Sequence, residues 1–415
     1  MVDGIVDKPI FDYIHAAAAY TKLGNLQKRN PVGAKEMQGS VLVRLEQRLQ
    51  GMLVRKEVGA QQLANILWAA ANLFSDIPAL LNIVPNLSAE ILLKASDTDP
   101  QGLSNSLWSA VQLQDAKPEV LKIVLAIVAQ IPLKSKDMIP QHVSNSLWAA
   151  AKLKDSAPEV LKIVPALVAQ IPLKAVGMIP QHLANSLWAL KDFPDASPAV
   201  PKAALALVQN VPSKISGMDG QLLSNTVEAL VYLGESFPID SQQDIVAASA
   251  ARLASILPKL KGRDLMFTVP VVIWACVRSD VHDGKLFCAA VARFSSARVL
   301  ASLTDWGLCA LWLGWSCNSC VVDLLWKLDA TVLPRAQLCA THSYNQCGSS
   351  ACIVGYWCHP SFKLLSASFA NLRMWSYCTL NKATEFDSFV DGLESEISRR
   401  GLSGSEKEIL AEREP

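Results

Sequence analysis

Asn65, Asn105, Asn145, Asn185 and Asn225 recur at a step of 40 residues. A carboxamide offers two donors and an acceptor, so a row of them can meet base edges or phosphates, one nucleotide per unit. The same row suits an internal role, in which the amides tie neighbouring units together and satisfy the open N–H groups of helix starts. A residue that never changes cannot tell one base from another, so discrimination needs places that vary. With Gln61, Gln101, Gln141, Gln181 and Gln221 as first places, Asn is the fifth. The second place then holds Gln62, Gly102, His142, His182 and Leu222, and the twelfth holds Asn72, Gln112, Lys152, Asp192 and Tyr232. Both are expected on the solvent face of a helix, opposite its buried stripe. Free drift at exposed places produces the same variation.

Other residue types invite chemistry and are weighed the same way. Trp68, Trp108, Trp148 and Trp188 can stack on bases, but Leu and Ala flank them at helical spacing, which reads as core. Lys94, Lys134, Lys174 and Lys214 form one periodic set, and Lys122, Lys162 and Lys202 another. Such rows either track phosphates or form a solvated face. Cys317 and Cys320 make a CxxC, followed at irregular spacing by Cys339, Cys347, Cys352, Cys358 and His359. Zinc needs four converging ligands, and a second pair is missing, so no metal site is assigned. There is no phosphate-cradling glycine loop, nucleophile elbow or His-Glu metal helix. The chain reads as a non-enzyme, without catalytic residues, cofactor or small-molecule substrate.

These residues sit on a repeated unit, seen best from Gln141 to Pro180. Val143, Leu147, Ala150 and Ala151 give the spacing of a first helix, entered through Pro140. Ser156-Ala157-Pro158-Glu159 reads as a capping box opening a second helix, which Pro172 ends. Pro85 and Pro165 are expected to kink their second helices. One such hairpin cannot bury its apolar face alone, and a stack of them can. The fold class is all-α, an α-solenoid (superhelix) of helix–turn–helix repeats with a 40-residue period. Residues 1–60 read as a degenerate capping repeat, with Asp12 at the Asn place and His15 at the Trp place. Residues 61–264 hold five repeats and 265–311 degenerate ones. Residues 312–373 form a Cys- and Trp-rich insertion without clear period, and 374–415 a helical cap and charged tail.

Composition limits the alternatives. With 51% hydrophobic and 18% charged residues the chain has a packed core rather than disorder. A net charge of +1 gives no electrostatic argument for nucleic acid. No 18-residue stretch is free of polar breaks, so no membrane span is expected. The amino terminus, with Asp3 and Asp7, has neither an apolar signal core nor the Arg- and Ser-rich composition of a transit peptide. All 10 cysteines follow residue 275, which does not fit a secreted disulfide scaffold.

The recurring Leu-Ala/Ser-Asn-x-Leu-Trp-Ala resembles the octotricopeptide repeat family of organellar RNA-binding proteins, related to the repeats of RAP-domain and FAST-kinase-like proteins. It is carried by Leu63 to Ala69, Leu103 to Trp108, Val143 to Ala149 and Leu183 to Ala189. Pro-Gln precedes the motif at 100–101, 140–141 and 180–181. The resemblance covers roughly half the chain. It implies an α-solenoid that binds single-stranded RNA, an organellar transcript or ribosomal RNA, and supports its processing, stability or translation. It also implies residence in a mitochondrion or chloroplast, the cytoplasm being the alternative. The candidate RNA-binding residues are the five fifth-place asparagines, the five twelfth-place residues, and His142 and His182. A protein-interaction scaffold using the same concave surface is the alternative function.

Overall fold

The computed structural model describes residues 4, 6–29, 40–234, 238–281 and 283–294, with parts of 299–311 and 392–401. The segment 312–373, with its CxxC and remaining cysteines, lies outside the described residues. The chain divides into two compact units. Unit 1 comprises residues 1–214 with 232–237, and unit 2 comprises 215–231 with 238–415. Helices are the regular elements throughout, and the described residues contain no strand.

In unit 1 the helices fall into two layers. The first layer is α1 (Tyr13–Arg29), α3 (Ala60–Leu73), α5 (Pro100–Leu113), α7 (Pro140–Leu153) and α10 (Pro180–Leu190). The second is α2 (Ser40–Val54), α4 (Val84–Lys94), α6 (Lys122–Lys134), the short α8 (Val164–Val168) and α9 (Ile171–Lys174), and α11 (Val200–Val208). Each first-layer helix packs on the next: α1 on α3, α3 on α5, α5 on α7, α7 on α10. The second layer runs the same way, α2 on α4, α4 on α6, α6 on α8 and α9 on α11. Pairs α3–α4, α5–α6, α7–α8 and α10–α11 join the layers. The core lies between them, with Leu67, Leu107, Leu147 and Leu187 of the first layer and Ile83, Ile123 and Ile163 of the second fully buried.

Proline sets the first-layer starts. Pro100, Pro140 and Pro180 each occupy the opening helical turn, where the absent N–H costs nothing. Asp99 adds a cap, its carboxylate accepting from Gly102 N at 2.7 Å. Asp12 does the same for α1, accepting from Ile14 N at 3.0 Å and His15 N at 3.1 Å.

The second halves differ from expectation. They open as tight 3-10 turns, Pro78–Asn82, Pro118–Leu121 and Pro158–Ile163. Pro85 and Pro165 then stand in the first turn of α4 and α8, so they start helices instead of kinking them. Pro172 likewise opens α9 rather than ending a helix. The capping box does not form: Ser156 Oγ donates to Gln114 Oε1 at 2.7 Å, and the turn at Pro158 has no side-chain cap.

Unit 2 contains α12 (Gly220–Tyr232, its last residue counted with unit 1), α13 (Ile239–Ile256), α14 (Gly262–Arg278) and α15 (Gly284–Phe294). Helix α13 packs on α14 and α15. Val269, Val272 and Trp274 of α14 are buried there. Gly220 approaches Thr268 so closely that a Cβ would lie 2.9 Å from its Oγ1.

Candidate functional site

Places five, eight and twelve are separated by three and four residues, so they share one face of each first-layer helix. That face is where α3, α5, α7 and α10 are incompletely covered. Asn65, Asn105, Asn145 and Asn185 are half-buried, and so are Trp68, Trp108, Trp148 and Trp188. The tryptophans are therefore only partly buried, where their Leu and Ala flanks suggest complete burial in the core. Two of the rings, Trp68 and Trp188, lie against the preceding first-layer helix. A Cβ on Gly24 of α1 would stand 3.0 Å from the Trp68 ring, and Lys152 Nζ of α7 lies 4.3 Å from the centre of the Trp188 ring. Leu and Ala at adjacent places mark the helix as buried, but these rings sit at the edge of that stripe, in the seam between neighbours.

The asparagine amides do not tie units together. In α3, α5, α7 and α10 their carboxamides make no hydrogen bond to a described residue. The tie comes from the residue before: Ser104 Oγ donates to the His142 carbonyl at 3.3 Å, and Ser144 Oγ to the His182 carbonyl at 3.2 Å. Asn225 differs from the others. It belongs to unit 2 and is buried in α12, beside a buried Glu228 at the tryptophan's place.

The second place does not face solvent. A Cβ on Gly102 would meet Thr98 Cγ2 at 2.6 Å and Ala64 Cβ of the preceding unit at 3.3 Å. His142 and His182 are half-buried at the same register, with their Nδ1 atoms shut off from solvent. Burial pushes both imidazoles below their usual range. Asp99 opposes this at His142, and the neighbouring His142 adds to it at His182. Packing thus accounts for Gly102, His142 and His182, while Gln62 and Leu222 are half-buried, like the fifth-place asparagines of unit 1.

The twelfth place is more varied in role. Asn72 Nδ2 donates to its own helix, at Trp68 O, 2.7 Å. Gln112 is half-buried and Lys152 exposed. Asp192 pairs with Lys154 Nζ at 2.7 Å. Lys191 Nζ lies 4.9 Å from the Trp188 ring centre and 5.4 Å from that of Tyr232. Burial pushes the Lys191 ammonium down to about 8, against the pull of Asp192 and with Lys152 and Lys154 adding to the fall. The structure thus brings Lys152, Asp192 and Tyr232 together with Trp188, Lys154 and Lys191. From sequence, Trp188 reads as core, and Lys154 and Lys191 are not singled out. Their signal is Lys152-x-Lys154 ending one helix and Trp188-x-x-Lys191 ending the next, where helix termini favour cations.

The lysine rows split. Lys94 Nζ donates to the Lys56 and Val58 carbonyls at 3.0 and 2.7 Å, and Lys134 Nζ to those of Ser96 and Thr98 at 2.6 and 2.7 Å. Lys174 Nζ reaches the Lys136 carbonyl at 3.2 Å. These ammoniums clamp one return loop to the previous one and are neither a solvated face nor a phosphate row. Lys122, Lys162 and Lys202 of the second layer are exposed. Among the described residues no three of His, Cys, Asp and Glu converge as metal ligands, and no single helix is long and apolar enough to cross a membrane.

No family model matches the chain, and no curated protein matches it either.

Proposed function

We propose that unit 1 is an α-solenoid stepped at 40 residues that binds single-stranded RNA along its first-layer helices. The observation that carries this is the half-buried Asn and Trp pair repeated on α3, α5, α7 and α10, whose amides have no hydrogen-bond partner among the described residues. Unspent donors and acceptors beside a partly exposed ring suit an unstacked base, which offers a hydrogen-bonding edge and a π-face. The twelfth place, next along the face, supplies the variation that selectivity needs. The sequence resemblance supports an organellar transcript or ribosomal RNA as the strand, and its processing, stability or translation as the outcome. The proposal is tested by the affinity of the full chain for one RNA sequence presented single-stranded and as a duplex. Tighter binding to the single strand is expected; equal affinity, or none for either, overturns it.

A second reading, a protein-interaction scaffold, is favoured by a different surface. Leu93, Leu133 and Leu173 recur on the second layer and are 64, 77 and 78% exposed. An aligned row of exposed leucines exceeds the scattered apolar residues of an ordinary surface. On this reading, a partner captured by the full chain survives nuclease and is lost when the three leucines become serine.

A further inference from the structure

In unit 2 the loop from α13 to α14 departs from its counterparts in unit 1. Those counterparts carry Asp97 with Asp99, Lys136 with Asp137, and no charge at 175–179. The loop at 257–261 carries Lys259 and Lys261, and Arg263 follows in the first turn of α14. All three are exposed, and none makes a hydrogen bond or ion pair with a described residue. Arg293 of α15 adds a fourth cation, its Nη2 donating to the Leu260 carbonyl at 2.6 Å. Against these four stands Asp264. On the neighbouring loop Arg252, which donates to the Met218 carbonyl at 3.3 Å, balances Asp219. The local excess is thus larger than the net charge of +1 on the whole chain. Phe267, one turn past Arg263 on the same side of α14, is 40% exposed.

Clustered exposed cations attract a run of phosphates, and one exposed ring takes the face of one base. We infer that this loop is a second RNA contact, in which Lys259, Lys261 and Arg263 hold phosphodiesters of the single strand and Phe267 stacks on a base beside them. Arg293 is a positioning residue, since it fastens the loop to α15 through Leu260. The inference rests on the RNA reading given above and extends it from unit 1 to unit 2. The asparagine row of unit 1 meets base edges, whereas this loop meets the backbone and carries no base preference. An anionic membrane attracts the same cations, but a helix lying in a membrane interface presents a stripe of apolar residues. In α14 Phe267 is the one large apolar side chain exposed among the described residues.

The test is the salt dependence of binding. The full chain is titrated against a single-stranded RNA by fluorescence anisotropy between about 50 and 200 mM salt, where each phosphate contact adds about 0.7 to the slope of log affinity against log salt. In Lys259→Gln/Lys261→Gln/Arg263→Gln the slope is expected to flatten by about 2, and affinity at the lower salt to fall roughly tenfold or more. In Lys122→Gln/Lys162→Gln/Lys202→Gln, which removes the same charge from the second layer of unit 1, slope and affinity are expected to stay. Phe267→Ala is expected to weaken binding roughly fivefold or more at an unchanged slope; an unchanged affinity overturns the stacking. An unchanged slope in the loop variant overturns the contact and leaves the RNA reading of unit 1 standing. Equal flattening in the two triple variants also overturns it, because the loop is then one part of a general surface charge. Binding to phosphatidylserine vesicles that is lost in the loop variant, with RNA affinity kept, overturns it in favour of a membrane. Failure of the unaltered chain to bind RNA overturns the RNA reading, and this contact with it.

Discussion

Replacing Asn145 with alanine separates the two roles open to the repeated amide. The Asn145 carboxamide is half-buried and makes no hydrogen bond to a described residue, so its removal leaves no bonded partner unsatisfied. Alanine is also the better helix former, by roughly half a kcal/mol. Folding stability is therefore expected to stay within about 0.5 kcal/mol of the parent, the range of substitutions that disturb no feature of the fold. RNA binding should respond differently. One or two hydrogen bonds to a base edge, at about 0.5–1.5 kcal/mol each, amount to about 1–2 kcal/mol. That corresponds to a loss of affinity of roughly 5- to 30-fold. Urea unfolding followed by far-UV circular dichroism gives the first quantity, and anisotropy with a single-stranded RNA gives the second. A stability loss above about 1 kcal/mol with affinity unchanged refutes the reasoning, since it makes the amide an internal tie.

The remaining predictions address the frame and the charged cluster. Lys134→Met removes two hydrogen bonds from an ammonium to the Ser96 and Thr98 carbonyls and should cost about 2–3 kcal/mol in urea unfolding. Lys122→Met, at an exposed place, should cost less than about 0.5; equal losses would show that the clamp contributes nothing. Gly102→Ala should destabilise by about 1 kcal/mol net, overpacking against Thr98 outweighing the better helix propensity, and a stabilised variant would contradict the close approach of these units. Lys191 has a folded value of about 8 below its ordinary 10.5, so between those values the unfolded chain holds more protons and stability rises with pH. Urea unfolding below pH 8 and again near pH 10 should show that rise in the parent and lose that share of it in Lys191→Met; an identical pH response in the two chains would mean that Lys191 keeps its ordinary affinity. His142 and His182, held below the usual imidazole range, act at the acid end: their share of stability is present above pH 6.5 and is lost as pH falls through their folded values. Changing both to Gln should weaken the acid sensitivity in that window, and an unaltered acid midpoint would count against their burial.

The helix starts were legible because proline and its neighbours act locally. Pro100, Pro140 and Pro180 fix backbone angles whatever surrounds them, and all three open helices. The second halves were less legible. Pro158 and Pro165 are seven residues apart, a spacing that permits one kinked helix or a 3-10 turn followed by a new helix start, and only packing between the layers decides. The face of the site was half legible. Periodicity located Asn145 and Lys152, yet it assigned Trp148 to the core, because a residue flanked by Leu147 and Ala149 looks apolar on both sides. Whether the neighbouring helix covers the ring completely depends on the distance between helices, which sequence does not encode at one position. The lysines show the same limit. Lys134 and Lys162 are both periodic and both charged, but one reaches carbonyls of the preceding return loop and the other points into water. The cluster at Trp188 joins residues near 152 and near 190, a tertiary meeting that appears once the two helix ends are side by side.

Ultraviolet crosslinking of the full chain to a single-stranded RNA, with the attached peptides mapped, tests the central claim most directly. The account predicts crosslinks on first-layer peptides carrying Asn65 with Trp68, Asn105 with Trp108 and Asn145 with Trp148. Crosslinks confined to second-layer peptides around Lys122, Lys162 and Lys202, or none at low salt where phosphate contacts are strongest, would contradict it.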